Sequence, residues 1–251
     1  MAGDEASRQR HGGALFLRLS PRQLAAPSYL EEEVPALRPD GEGLASVLND
    51  LASSAPESTA AIEEALRTVV PSVRRVRTER ASVRRLETEH LVVDGQSIPR
   101  IRERTYWGHR VVLDTVSGRG IPLHAASEGT VLTLGLLTVL HGRSPPRFLL
   151  LDDIDRALHP RAQEDLVAQL RRILAARPEL QIVATSHSPY LLDALRFEEV
   201  RLTTLRDDGS VACAPLTDHS EYERWKDHVH PGELWTSAEE TWVAARAEQG
   251  S

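Results

Sequence analysis

Residues 147–160, RFLLLDDIDRALHP, decide how this 251-residue chain is read. Phe148–Leu151 is an unbroken apolar run, the pattern of a strand buried on both faces, as in a parallel sheet. Asp152 and Asp153 follow it directly. In parallel α/β sheets ligands bind beyond the carboxyl ends of the strands. Two adjacent acids there suit a magnesium-linked phosphate: one orients metal-bound water, the next polarises an attacking water. An acid pair at a strand end is equally a helix cap or a loop.

On the downstream side, Arg161–Ala175 places Leu166, Val167, Leu170, Ile173 and Leu174 on one helical face. Leu180–Ala184 (LQIVA) is predicted as a second buried strand, with a short helix from Pro189. His187, in TSHS just past that strand, is placed either to contact a terminal phosphate or to pack locally. On the upstream side a turn leads into a helix over Ser127–His141. Ser127-Glu128-Gly129 at its start leaves backbone N–H groups for phosphate oxygens, or serves as an ordinary N-cap. Apolar strands separated by helices predict a parallel sheet.

Further out, Gly13–Leu19 reads as a short strand, Ser20–Gly43 as a loop, and Leu44–Ala52 and Thr59–Val70 as helices. Val73–Arg119 alternates β-branched and charged residues, which predicts antiparallel strands turning at Asp94-Gly95. That window holds eleven arginines and six acids, a net of +5, which leaves −12 for the rest of the chain's −7. Solvated strand faces account for it, and the alternative is a patch over residues 74–119 for nucleic acid or another polyanion. Glu199–Ala212 reads as edge strands around Asp208-Gly209. The tail over Glu221–Gln249 is polar and helical in tendency, with Trp225, Trp235 and Trp242. The expected organisation is a disordered stretch over 1–12, a helical and β-rich region over 13–119, an α/β core over 120–213 and a tail over 214–251.

Composition narrows the classes. A net charge of −7 and a pI near 5.8 argue against a uniformly basic nucleic-acid binder. Cys213 is the one cysteine, so neither an internal disulfide nor a multi-cysteine zinc site is available. Val131–Leu140 is apolar for ten residues, short of the ~20 a membrane span needs. The start, MAGDEASRQRHGG, does not read as a signal peptide. The expectation is a cytoplasmic protein.

Taken together, ASEGTVLTLGLL, FLLLDDIDRALHP and QIVATSHSPYLLD, in that order, resemble the ABC-type ATPase heads of the predicted AAA-ATPase, overcoming-lysogenization-defect, RecF and SMC group. The resemblance implies the C-terminal portion of a P-loop NTPase with a parallel sheet, preceded by a helical and antiparallel β segment. It implies ATP and magnesium as cofactors. Ser127, Glu128 and Gly129 then belong to the signature motif, Asp152 is the magnesium-side acid of the Walker B strand, and Asp153 is the catalytic acid. RALHP, with His159, matches the D-loop region and its nucleotide contacts, and His187 is the switch histidine. Such heads pair face to face, which implies a homo- or heterodimer through the ATPase face.

The family pattern has Asp-Glu where this chain has Asp152-Asp153, and the shorter second acid reaches less far toward a water. The phosphate loop, GxxxxGK[ST], is missing: there is no Gly-Lys pair, and the single lysine, Lys226, stands far downstream of Asp152. Two readings follow: an ATPase-type module whose phosphate loop lies elsewhere, inactive or weak alone, or a non-catalytic remnant that works as an interaction module. A metal-dependent Toprim-like nuclease built on Asp153-x-Asp155 is a third, which leaves Ser127 and His187 unexplained.

Overall fold

The structure, a computed structural model, describes residues 14–30, 32–93, 96–237 and 242–245. The expected disorder over 1–12 and the expected turn at Asp94-Gly95 lie outside them. In chain order the elements are β1 (Ala14–Leu17), α1 (Pro21–Ala25), α2 (Leu44–Ser54), α3 (Pro56–Val69), β2 (Val73–Val93), β3 (Gln96–Thr115), β4 (Ile121–Pro122) and α4 (Glu128–His141). Then come β5 (Phe148–Leu151), α5 (Pro160–Ala176), β6 (Gln181–Ala184), α6 (Pro189–Asp193), β7 (Arg201–Leu205), β8 (Val211–Pro215), α7 (Tyr222–Trp225) and α8 (Pro231–Ser237). The chain forms two compact units: residues 1–152 with 173–184, and residues 153–172 with 185–251.

In the first unit β1, β5 and β6 form a parallel sheet with β5 in the middle, paired Leu17↔Leu151 on one side and Leu151↔Ala184 on the other. β5 has the burial its sequence predicts, with Leu149 and Leu151 enclosed. β6 does not. LQIVA was expected to be a buried strand, yet β6 is an edge, and Val183 is 52% exposed. An apolar run reports what a strand is suited to, while burial requires neighbours, and among the described residues β6 pairs with one strand.

α4 is apolar all round and enclosed by its own unit: Val131, Leu134, Leu136, Leu137 and Leu140 are all buried. A helix of that pattern is a core helix or a membrane span, and no helix among the described residues is long and apolar enough to cross a membrane. The Ser20–Gly43 region, expected to be loop throughout, contains the one-turn helix α1. It buries Leu24 completely, and Leu24 lies where a Cβ on Gly135 of α4 would stand.

β2 and β3 pair over almost their whole length as one antiparallel ribbon. At ~3.4 Å per residue, some twenty residues extend about 68 Å. The base is core: Val73, Val111, Val112 and Leu113 are buried. Near its middle the chain at Ser28 bridges to His109, with N–H···O bonds of 2.9 Å both ways, so close to Gly108 that a Cβ there would overlap the Ser28 carbonyl. Further along, Leu86 (74%) and Ile101 (70%) are exposed.

The second unit is built on a core of Val167, Leu191, Leu192, Val200, Leu202, Ala212, Ala214, Leu216 and Leu234. The β7–β8 hairpin turns at Gly209, whose φ of +82° suits glycine. α6 and α8 approach so closely that a Cβ on Gly232 would overlap the Pro189 carbonyl, and the Gly232 N–H donates to Asp193 Oδ1 at 2.8 Å.

Candidate functional site

In the first unit, Asp152 stands at the carboxyl end of β5. Because β1 and β5 run parallel with Leu17 opposite Leu151, the residue after β1 arrives beside the residue after β5. That residue is Arg18, and its Nε donates to Asp152 Oδ2 at 3.3 Å. Both side chains are solvent-exposed, so the pair contributes little stability, but it puts a guanidinium on the carboxylate expected to face magnesium. Arg18 falls within the Gly13–Leu19 strand window, yet nothing in a lone arginine at a strand end signals that contact; the parallel register creates it.

The start of α4 is also in this unit. Ser127 is its N-cap: Oγ accepts from the Thr130 N–H at 3.3 Å and shares a 2.7 Å hydrogen bond with the Thr130 hydroxyl. Ser127 and Glu128 are exposed, whereas Gly129 and Thr130 are buried. The capping role is therefore present, and it satisfies the Thr130 N–H, one of the amides at the helix start that lack an intrahelical acceptor.

In the second unit, Asp153 has φ +49° and Ala157 φ +58°, both in the left-handed region that non-glycine residues avoid. Thr185 holds the first of these turns: its Oγ1 accepts from the Asp153 N–H at 2.9 Å, and its carbonyl accepts from the Ile154 N–H at 3.1 Å. Thr185 begins the TSHS segment, so the acid loop and the histidine loop are tied through their backbones. His187, two residues on, is exposed, while Ser188 is buried, its Oγ donating to Gln163 Oε1 of α5 at 2.6 Å. The first serine of TSHS also braces the turn, Ser186 Oγ accepting from the Ser188 N–H at 3.1 Å.

His159 sits just before α5 and caps it: its Nδ1 accepts from the Arg161 N–H at 3.4 Å and its carbonyl from the Gln163 N–H at 3.1 Å. Asp155 differs from its exposed neighbour Asp153, since its Oδ1 is buried with no hydrogen-bond partner among the described residues. Thr185 and Gln163 are positioning residues that sequence reading missed. A signal for Thr185 existed in its place at the head of TSHS, but none marked Gln163.

Among the described residues no three His, Cys, Asp or Glu side chains gather to cage a metal. Magnesium does not require that: it is usually held by one or two carboxylates together with substrate phosphates. Asp152 fits that use if Arg18 moves aside. A triphosphate is a different case. The only lysine, Lys226, is ion-paired with Glu223 at 2.7 Å, and no glycine-rich loop supplies a lysine and a backbone cradle.

A mixed α/β fold with a parallel sheet and acids at a strand end is the arrangement expected of an ATPase-like domain of the P-loop class. Comparison with known families agrees. The chain belongs to the family described as AAA domain, putative AbiEii toxin, Type IV TA system, whose profile matches residues 7–193. A curated relative, the Septu protein PtuA of Bacillus thuringiensis, is 33% identical over 68 residues, which is 27% of this chain and 16% of that protein. Solved structures of similar fold include the SMC head domain from Thermotoga maritima, with TM-score 0.39 and 13% identity over 68% of this chain and 51% of that one. Another comes from work on ATP-driven dimerization and DNA-stimulated activation of SMC ATPases, with TM-score 0.44 and 12% identity over 72% of this chain and 96% of that one. The chain thus spans a small part of the curated relative and about half of the Thermotoga head.

Proposed function

We propose that the chain is the C-terminal module of an AAA/ABC-type ATPase and acts on MgATP together with a separate phosphate-loop lobe. Family membership supports an ATPase-like module. The observation that carries the finer reading is the conformation at the end of β5, where Asp153 is held at φ +49° by Thr185 of the TSHS loop. Backbone strain of this kind costs ~1–3 kcal/mol and concentrates at functional sites. In this reading Asp152 would help hold magnesium, which would supply charge neutralisation of the phosphates. The Asp153 carboxylate accepts a proton from, or orients, the attacking water, and His187 hydrogen-bonds a terminal phosphate oxygen. Ser127, Glu128 and Gly129 present the α4 N-terminus to a phosphate held by the opposing protomer. His159 contributes at the dimer face.

The chain alone is expected to bind MgATP poorly and to hydrolyse it negligibly. Calorimetry that finds micromolar MgATP binding by the isolated chain, abolished in Asp152→Ala, overturns this. In an assembled site Asp153→Asn should keep nucleotide binding and suppress turnover, while Asp153→Glu should keep both. Undiminished turnover by the Asn variant removes Asp153 from the role.

A second reading, a non-catalytic interaction module, is favoured by the Arg18–Asp152 contact, which places a cation where magnesium is expected. Arg18→Ala separates the two: an ATPase module gains or keeps magnesium-dependent turnover in the assembled state, and a remnant shows none in either form.

A further inference from the structure

Beyond its base the β2–β3 ribbon has two faces of different character. Side chains alternate between the faces of a strand, and on one face the register pairs Ser82 with Trp107, Leu86 with Glu103 and Thr88 with Ile101. The other face carries Val83 with Tyr106, Arg85 with Arg104 and Glu87 with Arg102. The chain covers that second face itself. Tyr29 stacks on Tyr106 with ring centroids 4.8 Å apart, the Arg85 guanidinium donates to the Tyr29 carbonyl, and Glu87 and Glu89 engage Arg104. The first face is open: Leu86, Ile101 and Trp107 are its large apolar side chains, and all three are exposed. A two-stranded ribbon is marginal in water unless an apolar face is packed, so this is the face that gains from a cover.

Its pattern is self-complementary. In three cross-strand pairs a large apolar side chain stands beside a shorter or polar one: Trp107 beside Ser82, Ile101 beside Thr88, Leu86 beside Glu103. A second copy set face to face, about a twofold axis along the ribbon, has its β2 opposite β3 of the first at the same level. Trp107 then meets Ser82 of the second copy, and Ile101 meets its Thr88. Sheets that pack face to face interdigitate about 10 Å apart, and large residues facing small ones are what interdigitation requires.

The charges obey the same symmetry. Within one chain Arg80 lies over Trp107 at 5.2 Å, and Arg84 reaches Glu103 at 3.5 Å. Both contacts run diagonally, from β2 to the next pair along on β3. In the twofold arrangement each arginine also faces β3 of the second copy, with the same Trp107 or Glu103 one pair along. Both contacts can therefore exchange between chains and leave no charge unpaired. A polyanion is matched less well, because Glu103 stands in the middle of this face and Arg84 is already engaged with it.

We infer that this face is a self-association surface: two copies of the chain pack ribbon against ribbon, in parallel, about a twofold axis along the strands. From the Arg80 pair to the His90 pair the footprint is roughly 34 Å by 10 Å, at the small end for specific interfaces. The dimer is therefore one of modest affinity, and it does not require nucleotide.

The test is sedimentation equilibrium of the full chain without nucleotide, from low to high micromolar concentration. A monomer–dimer equilibrium is expected. Leu86→Glu and Trp107→Glu replace exposed side chains, and each should weaken it at least about tenfold with an unchanged circular dichroism spectrum. Ile98→Glu, on the opposite face, should leave it as it is. Charge reversal tests the symmetry. Arg84→Glu and Glu103→Arg should each impair self-association, because like charges then meet across the interface. Mixed with each other, these two variants should form a heterodimer, since both crossed pairs are then opposite in charge. A chain that stays monomeric throughout overturns the proposal, and a single-stranded oligonucleotide bound by that monomer but not by Trp107→Glu gives the face to nucleic acid instead. A dimer indifferent to Leu86→Glu and Trp107→Glu, or as sensitive to Ile98→Glu, overturns the choice of face. A dimer lost in both apolar variants whose charge variants fail to recombine overturns the parallel twofold arrangement.

Discussion

β6 and the β2–β3 ribbon both present exposed strands in the same unit, and their chemistry is opposite. β6 is short and uncharged, with its apolar Val183 half in solvent. The ribbon is long, and its exposed length carries cross-strand ion pairs: Arg110 with Glu79 at 2.9 Å, Arg104 with Glu89 at 2.5 Å and with Glu87 at 3.3 Å, Arg84 with Glu103 at 3.5 Å. Trp107, 64% exposed, lies beneath the Arg80 guanidinium at 5.2 Å. The ribbon thus pairs part of its own charge and discourages edge pairing, whereas β6 carries no charge to do either. The contrast also bears on the net +5 of the ribbon. Arg77, Arg84, Arg102, Arg104 and Arg110 are engaged with acids, so the solvated-face account explains much of the arginine content. Patch chemistry for a polyanion is left to Arg74, Arg75, Arg80, Arg85, Arg100 and Arg119, which have no ion-pair partner among the described residues, although Arg80 lies over Trp107 and Arg85 donates to the Tyr29 carbonyl.

The largest effect that separates the two sheets is in their interiors. Leu149 of β5 is fully buried, and Leu149→Ala should cost ~2.7–5 kcal/mol, the range for cavity-forming leucine truncations. Leu86→Ala, at a ribbon position 74% exposed, should stay within about 0.5 kcal/mol. Denaturant titration of both measures the difference, and comparable losses would mean that the ribbon is packed against something in solution.

Next in size is the place where the ribbon is fastened. Gly108→Ala pushes a Cβ onto the Ser28 carbonyl, and backbone offers no easy relief. It should cost ~1–3 kcal/mol by overpacking and release the Ser28–His109 bridge, seen as faster exchange of those two amides. Unchanged protection would show that the bridge does not hold the ribbon.

The third effect concerns ion pairing at the ribbon's base. The Arg77 guanidinium, first, and the Gly120 N–H, second, hold the Asp114 carboxyl down at about 2. Its unfolded value is ~3.9. The stabilisation is therefore fully present above that value and is lost as pH falls toward 2. Carboxyl NMR should find Asp114 titrating near 2, and Arg77→Met should bring it up toward the ordinary range. No change in that variant would transfer the depression to Gly120.

How far these differences could be read from sequence depends on what each pattern encodes. FLLL and LQIVA both specified strands suited to burial, and β5 obtained it. β6 could not be recognised as an edge, because exposure depends on a neighbour that a strand's own residues do not name. The ribbon was legible as antiparallel strands from alternation, but its pairing over some twenty residues and its ion-pair ladder depend on register. At the site, acids, histidine and helix start were visible as types at a spacing. The Arg18–Asp152 contact and the Thr185 clasp arise from parallel register and from a loop conformation that no glycine announced.

The smallest effect tests that conformation. The non-glycine residues with positive φ among the described residues are Asp153 and Ala157, both in the loop after β5 and none in the ribbon. A left-handed L-residue costs ~1–2 kcal/mol, and glycine returns ~0.5–1 of that as unfolded-chain entropy. Ala157→Gly should therefore stabilise the chain by only about 0.5 kcal/mol. Asp153→Gly should gain a similar amount, since the Thr185 bonds use the backbone of residues 153 and 154 and survive the change. Thr185→Val removes the hydroxyl that accepts from Asp153 and should cancel that gain. If Asp153→Gly destabilises while Ala157→Gly stabilises, the Asp153 side chain, and not strain relieved through Thr185, governs this turn. The difference between the two loop positions then measures what that carboxylate contributes before any phosphate is bound.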